Sequence, residues 1–194
     1  MDRLMNVFRI CDDHEHFQTM CSTPDEMATQ LGDFNLFERI LRQPTENDSL
    51  QDIWKQVDVC FEDVLDSNSQ LPDVSLWLRT YLVLSPKAHS ALKENLELMG
   101  EFLPINVDGD SWYLYSCFQF GLEDRDQCVE KIEYGFSAGV EKLVFVEGDI
   151  NKKVLFKSRL DGSSNLFCNQ RFVEIFREND LRGITFTDEL VGSL

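Results

Sequence analysis

Apolar residues at helical spacing, bounded by capping residues, predict four helices along the chain. The segment Thr23-Pro24-Asp25-Glu26 has the sequence of a capping box with proline at the first helical position, and Gly32 ends this helix. Ser85-Pro86 begins a second helix that runs to Gly100, with one apolar stripe formed by Ala88, Leu92, Leu96 and Met99. A short third helix is predicted from Asp124 to Gly135, and a fourth is capped by Asn169.

Residues 49–66 fit two patterns. Ser49 with Asp52 resembles a capping box, and the apolar residues share one helical face: Ile53, Trp54, Val57, Cys60, Phe61, Val64 and Leu65. Three residues also alternate as they would in a strand, namely Val57, Val59 and Phe61. We favour the helix, which would carry a row of carboxylates on its opposite face with only Lys55 to balance them.

Strands are predicted mainly from turn residues. Asp108-Gly109 between two apolar segments is a strong signal for a two-residue hairpin joining 101–107 to 111–120. Gly148-Asp149 and Asp161-Gly162 predict an antiparallel meander made of strands 142–147, 152–159 and 165–168. Further strands are predicted at 5–10, 77–84 and 183–187. Helices and strands mix without a regular βαβ repeat, so we predict one α+β domain spanning 1–194, an antiparallel sheet or meander with helices packed on it.

The charge balance indicates what kind of partner the protein takes. The chain has 194 residues with 35 acidic and 18 basic side chains, a net charge of −17. Residues 1–150 hold 29 acids and 11 bases, whereas residues 151–194 are almost balanced. A field of this sign repels nucleic acid and anionic membranes and attracts cationic proteins. Solubility alone is the simpler explanation, although a net charge of magnitude about 2–8 is enough for that.

The cysteines and the chain start predict a cytoplasmic protein. The six cysteines are widely and irregularly spaced with no CxxC pair, so we interpret them as small buried apolar residues of a reducing compartment. Residues 1–13 lack the apolar core of a signal peptide, and no run approaches 18 apolar residues.

Catalytic and metal-binding motifs give weak signals. The best metal candidate is the segment Asp12-Asp13-His14-Glu15-His16, but a zinc site needs further ligands and a solvated acidic turn explains it better. A Cys117/His89 dyad is a remote alternative, and the chain has neither a GxSxG elbow nor a phosphate-binding glycine loop. We therefore predict that the protein is not an enzyme and has no cofactor or metal site.

The acidic surface is left as the candidate site, and we expect it to bind a basic protein. Carboxylates imitate phosphates and aromatic residues supply desolvated anchors. For Trp54 and Trp112 a structural role in the core is the simpler explanation. Glu123, Asp124 and Asp126 could bind a divalent cation, but a solvated helix start explains them better. The residues predicted to contact the partner are Asp52, Asp58, Glu62, Asp63, Asp66, Glu123, Asp124, Asp126, Trp54 and Trp112.

Several segments of the second half resemble the bacterial imm-eleven immunity-protein family. They are DVSLW (73–77), YLVLSPKAHSALKENLELMGEFLPI (81–105), SWYLYSCF (111–118) and LFCNQRFVEIFRENDLRGITF (166–186). The resemblance covers about residues 72–188, while residues 1–71 form an acidic part that matches no family. The acidic LDxxxS-like stretch of the family is only partly matched here by residues 122–128, Leu-Glu-Asp-Arg-Asp-Gln-Cys.

The resemblance implies an antitoxin role. Family members lie beside polymorphic toxins, including nucleases delivered by contact-dependent or type VI secretion, and protect the producing cell by binding the toxin domain. We therefore expect a cytoplasmic immunity protein that binds a cognate and plausibly basic nuclease toxin, without direct contact to nucleic acid or membrane. The alternatives are an adaptor for another basic protein and a small metal-dependent hydrolase that uses His14 and His16.

Overall fold

The α+β class predicted from the sequence is confirmed by a computed structural model of the chain, which describes residues 6–65 and 68–192. Within these ranges there are five helices, α1 (Pro24–Leu31), α2 (Leu36–Glu46), α3 (Pro86–Leu96), α4 (Glu147–Ile150) and α5 (Gln170–Glu178). The strands are β1 (Val7–Asp12), β2 (Thr19–Met20), β3 (Val57–Asp58), β4 (Phe61–Glu62), β5 (Val74–Trp77), β6 (Tyr81–Leu84), β7 (Gly100–Val107), β8 (Asp110–Cys117), β9 (Val129–Glu133), β10 (Phe136–Lys142), β11 (Leu155–Phe156), β12 (Phe167–Asn169) and β13 (Ile184–Thr187).

The strands form two larger sheets and two small ones. The central sheet has five strands in the order β3-β7-β8-β6-β5, and all of its pairs are antiparallel except β3 with β7. The second sheet has four strands in the order β11-β12-β1-β13, so the first strand of the chain is inserted between two strands of its C-terminal part. The remaining pairs are β2 with β4 and β9 with β10.

Both faces of the central sheet are apolar, because alternate residues of its strands enter two different cores. In β6, Leu82 and Leu84 face the core that contains α3, α5 and the second sheet, whereas Tyr81 and Val83 face the core under α1 and α2. Strands covered on both sides need apolar residues at consecutive positions, and all four residues of β6 are buried. The acidic N-terminal part of the chain therefore forms one covering layer of this sheet.

Buried polar contacts fasten that N-terminal layer to the rest of the molecule. The Glu101 carboxylate at the start of β7 accepts hydrogen bonds from Ser49 Oγ (2.6 Å) and from the Leu50 backbone N–H (2.8 Å). The Lys157 ammonium is almost fully buried and donates to the Pro44 carbonyl and to Asn47 Oδ1, just where α2 ends. Burial lowers the pKa of Lys157 to about 8.

Asp12 joins the two larger sheets. It is the last residue of β1, and its Oδ1 accepts a hydrogen bond of 2.7 Å from the Leu76 backbone N–H on β5, the edge of the central sheet. Burial raises the pKa of this carboxyl to about 6, although the Leu76 hydrogen bond and the nearby His14 act in the opposite direction. The connection between the sheets therefore includes a carboxylate for which the hydrogen bond only partly offsets the free-energy cost of burial.

Capping signals predicted three helices correctly, and their contacts explain why. Thr23 and Glu26 form the reciprocal hydrogen bonds of a capping box, and Gly32 ends α1 in the left-handed conformation. Ser85 and Asn169 cap α3 and α5 through their side chains. Helix α3 is shorter than predicted, because it ends at Leu96 and Gly100 already belongs to β7.

The predicted helix over residues 49–66 is wrong. Residues 51–53 form a turn, and the chain then continues in an extended form through β3 and β4. Val57 and Val59 are buried while Asp58 between them is exposed, so the alternating pattern decides the structure here. Parallel pairing of β3 with β7 stabilises this arrangement, and such a partner distant in sequence is invisible in the local pattern.

The C-terminal predictions were also partly wrong. The helix expected from Asp124 to Gly135 does not form. A single turn at 125–127 is followed by β9, which pairs with β10 through a tight turn at Tyr134-Gly135. The turn expected at Gly148-Asp149 is the short helix α4, and residues 143–146 lie outside any strand. Strand β10 therefore pairs with β9 and does not enter a meander, whereas β11 and β12 pair as predicted across a loop that contains Asp161-Gly162.

Three further predictions on strands and helices need correction. The strand predicted for 77–84 is interrupted. Trp77 ends β5, residues 78–80 form a turn with positive φ at Leu78 and Arg79, and residues 81–84 form β6 as predicted. Helix α2 was missed because Pro44 lies inside it and Asn35 makes no side-chain cap. The first strand is β1, and Met5 of its predicted range lies outside the described residues. Among the helices of the described ranges, none is long and apolar enough to cross a membrane.

We expect Asp12→Asn to change the pH dependence of stability. The folded pKa of Asp12 is raised, so the native state binds the extra proton and the free energy of unfolding decreases as pH rises from about 4 to about 6. Asparagine keeps an oxygen that can accept from Leu76 but has no charge to desolvate. The variant should lose this slope and be up to about 3 kcal/mol more stable at pH 7, measured by urea unfolding from pH 4 to 8. An unchanged slope would contradict the assignment.

Candidate partner-binding surface

The carboxylates predicted on one helical face are instead spread along an extended segment. Asp52 is paired with Arg39 at 2.7 Å, and hydrogen bonding and attraction by this guanidinium lower the pKa of Asp52. Asp58 and Glu62 are exposed on β3 and β4, and Asp63 follows β4 with its Oδ1 bound to the Ser69 backbone N–H at 3.2 Å. Asp66 lies outside the described residues.

Asp58 lies in a groove that the sequence analysis did not predict. The groove has a volume of about 530 Å³, lies between α1 and the segment 58–60, and is lined by carboxylates on both sides, namely Asp25, Glu26 and Asp58. We call it the acidic groove. Among the described residues, none of these three carboxylates forms an ion pair with lysine or arginine. Asp25 and Glu26 were not predicted as partner-binding residues, because their position at the start of α1 was sufficient to explain two carboxylates there.

Hydrogen bonds fix the two walls of the acidic groove to each other. Gln30 of α1 donates to the Asp58 carbonyl at 2.8 Å and accepts from the Asp58 backbone N–H at 2.7 Å. The Asp58 carboxylate accepts from Asn106 Nδ2 at 2.6 Å, which positions it on the sheet edge. The Asp58 carboxylate is therefore held by a preformed frame.

A disulfide joins Cys21 to Cys60, and Cys60 is one of the residues that line the acidic groove. The interpretation of all six cysteines as reduced residues is therefore wrong for this pair, because the pairing of β2 with β4 brings the two Cα atoms within 5.6 Å. The other four cysteines are free, and Cys117 and Cys168 among them are buried as predicted. Residues 39 positions apart give no local signal of such proximity.

The two tryptophans of the predicted site have different environments. Trp112 is only 6% exposed and packs against Phe61 in the core, with the ring centroids 5.4 Å apart, so it is a core residue in this structure. Trp54 is half-buried, and its indole N–H donates to the Pro104 carbonyl at 2.9 Å. Of these two tryptophans, only Trp54 is partly exposed to solvent.

Glu123, Asp124 and Asp126 are far from the acidic-groove residues in the sequence. Two of them accept hydrogen bonds from neighbouring residues of the protein. The Glu123 carboxylate accepts from Ser158 Oγ (2.8 Å) and from the backbone N–H groups of Arg159 (2.7 Å) and Leu160 (3.2 Å). Burial acts to raise the pKa of Glu123, but these hydrogen bonds outweigh it and the pKa is lowered. Asp124 accepts from Gln127 and Asp126 N–H groups, and Asp126 is exposed.

The weak enzyme signals are not brought together. Residues 14–16 form a turn, in which His16 Nδ1 contacts the Asp13 carboxylate at 2.9 Å and Asp13 raises the pKa of His16. No group of three potential metal ligands occurs within the described ranges. His89 stacks on Tyr113, and burial raises the pKa of the Cys117 thiol to about 11, opposite to the shift that activates a nucleophile.

No family model matches the chain, and no curated protein is significantly similar to it. The resemblance to the imm-eleven family therefore stays a prediction from the sequence.

We expect Glu123 to matter for stability. Glu123→Ala leaves the Ser158 hydroxyl and the Arg159 N–H without their acceptor, whereas the Leu160 N–H keeps Ser158 Oγ, and it should lower the free energy of unfolding by about 1–3 kcal/mol. The control is Asp126→Ala, at an exposed position in the same segment as Glu123, with a change within about 0.5 kcal/mol. Both values come from urea unfolding at pH 7. Equal stability of the two variants would show that the Glu123 hydrogen bonds contribute nothing.

Proposed function

We propose that this protein is an immunity protein that binds a basic toxin through an acidic surface and thereby blocks it. The observation that carries the proposal is the acidic groove, where carboxylates without ion-pair partners among the described residues line a preformed frame on a strongly acidic chain. The family resemblance of residues 72–188 supplies the toxin as the class of partner.

Charge favours encounter with such a partner. A net charge of −17 gives a long-range field that accelerates association with a cationic surface, with on-rates of up to about 10⁸–10⁹ M⁻¹s⁻¹ at low salt. A nuclease must present lysine and arginine to phosphates, so its active-site groove has the complementary charge. Carboxylates placed there occupy the positions of phosphates and exclude the nucleic acid.

Preorganisation favours affinity. Ordering side chains at an interface costs about 0.5–1.5 kcal/mol for each flexible residue. Asp58 is already oriented by Asn106 and Gln30, and Glu26 is oriented by the capping box, so part of this cost is met in the free protein. Arginine on the partner could then form charge-assisted hydrogen bonds without rearrangement of the groove.

The proposal places the protein in the cytoplasm of the producing cell. Disulfides persist mainly in oxidising compartments, so that location exposes the Cys21–Cys60 bridge to reduction. The hydrogen bond from the Cys60 backbone N–H to Ser22 Oγ, at 3.0 Å, and the pairing of β2 with β4 also join these segments. The frame of the groove therefore has contacts that do not depend on the sulfur bridge.

Co-expression tests the function directly. The product of the adjacent toxin gene should arrest growth when expressed alone, and co-expression of this protein should restore growth and give a co-purifying 1:1 complex. Failure of both rescue and co-purification would remove the antitoxin proposal. Co-purification of a basic protein without any rescue would favour the adaptor alternative.

Charge reversal on the groove side tests the surface. Asp58→Lys with Glu62→Lys should lower the association rate about tenfold or more at low salt and flatten its salt dependence, because steering depends on the local field. The matched control is Glu94→Lys with Glu97→Lys, which changes the net charge equally beside α3 on the other face of the central sheet. Stopped-flow or biolayer kinetics measure both. Equal rates for the two pairs would exclude this surface.

A further inference from the structure

The hairpin of β9 and β10 is built differently from the rest of the protein. Its two strands pair only with each other and form a separate sheet. Tyr134 and Gly135 join the strands with positive φ values of 52° and 83°, which is the conformation of a tight type I′ turn. Two register irregularities in β10 add bends to the hairpin.

The base of the hairpin is anchored and its tip is not. At the base, Cys128 and Val140 pack against the small core that contains Leu143 and Phe145, and the Cys128 thiol contacts the Val144 carbonyl at 3.3 Å. Toward the tip, large apolar side chains are exposed: Ile132 by 59%, Phe136 by 77% and Tyr134 by 98%. A free two-stranded hairpin is at best marginally stable in water, so exposed apolar groups on one are expected to serve contacts.

Turn chemistry does not account for Tyr134. A type I′ turn requires positive φ at its first central residue, where asparagine, aspartate or glycine is preferred and a bulky side chain is unfavourable. The Asp108-Gly109 turn of this same protein uses the favoured pair in the same conformation, with φ of 52° and 96°. The sequence thus places an aromatic ring at a position where the local backbone disfavours it.

Carboxylates lie along both strands of the hairpin and in the segment that leads into it. Residues 124–142 contain five acidic and three basic side chains, and one of the lysines, Lys131, is paired with Glu133 at 2.8 Å. Glu130 and Glu141 are exposed nearer the base, where Glu130 pairs with Val140. Aromatic anchors at protein interfaces are typically surrounded by polar residues that exclude water, and the net charge of this region is negative.

We propose that the β9–β10 hairpin is a docking arm for the basic partner protein, with Tyr134 and Phe136 entering an apolar pocket bordered by lysine or arginine. This inference rests on the proposed function and adds a second contact to the acidic groove. It replaces the buried Trp112 by exposed residues as the aromatic anchors. Glu130 and Glu141, nearer the base of the arm, would face further cations of the partner beyond that pocket.

Tyr134→Asn tests the arm without weakening the hairpin. Asn-Gly is the preferred type I′ pair, so the melting temperature should stay the same or rise while the aromatic anchor is removed. Affinity for the adjacent toxin should decrease roughly 30-fold or more, mainly through faster dissociation. Phe136→Thr, a strand-compatible change, should act in the same direction. The control is Leu98→Asn, which removes an apolar side chain that is 91% exposed after α3 and should leave affinity unchanged.

The outcomes separate the two proposals. If the wild-type protein binds the toxin and Tyr134→Asn and Phe136→Thr bind equally well, the arm is excluded and the proposed function stands. If the wild-type protein does not bind the toxin, both are lost. Sedimentation of the free protein completes the test, because a wild-type dimer that both hairpin variants abolish would mean that the arm binds a second copy of the chain and would overturn the proposal.

Discussion

The central sheet of this protein has two apolar faces, and the rest of the structure depends on covering both. Every residue of β6 is buried, and exposing such a strand to water would cost far more free energy than any local conformational preference contributes. One face is covered by α3, α5 and the second sheet, and the other by α1, α2 and the segments next to them. The acidic segment is therefore folded by the sheet beneath it, and its carboxylates lie on the outside of a layer whose inner side is apolar.

The features predictable from sequence are those determined within a few residues. Thr23, Ser85 and Asn169 start helices through bonds to their own first turn, and Asp108-Gly109 sets a hairpin alone. Turns that contain no glycine, asparagine or aspartate, such as Leu78-Arg79, give no comparable signal. Strand β3 depends on a partner almost fifty positions away, and local periodicity therefore favoured a helix there.

The candidate site shows the same division. Asp58 and Glu62 were predicted as exposed carboxylates, and they are exposed, although on strands rather than on a helix. Their relation to Asp25 and Glu26 could not be predicted, because it arises when α1 packs beside β3. Trp112 was offered both as an anchor and as a core residue, and the core explanation is confirmed by its burial. Exposure of an aromatic residue depends on the tertiary structure, so the sequence alone does not indicate that Tyr134 is exposed.

The buried Lys157 ammonium joins parts of the structure that are far apart in the sequence. It holds the carbonyl end of α2 from a position in the C-terminal part, and Asn47 in turn donates to the Phe118 carbonyl at 2.6 Å. Lifting the N-terminal layer off the sheet would leave this cation without its carbonyl and amide partners. Partial opening is thus penalised, and slow amide exchange in α2 and in β8 should reflect global unfolding more than local fluctuation. Such a body keeps its surface shape until it unfolds as a whole.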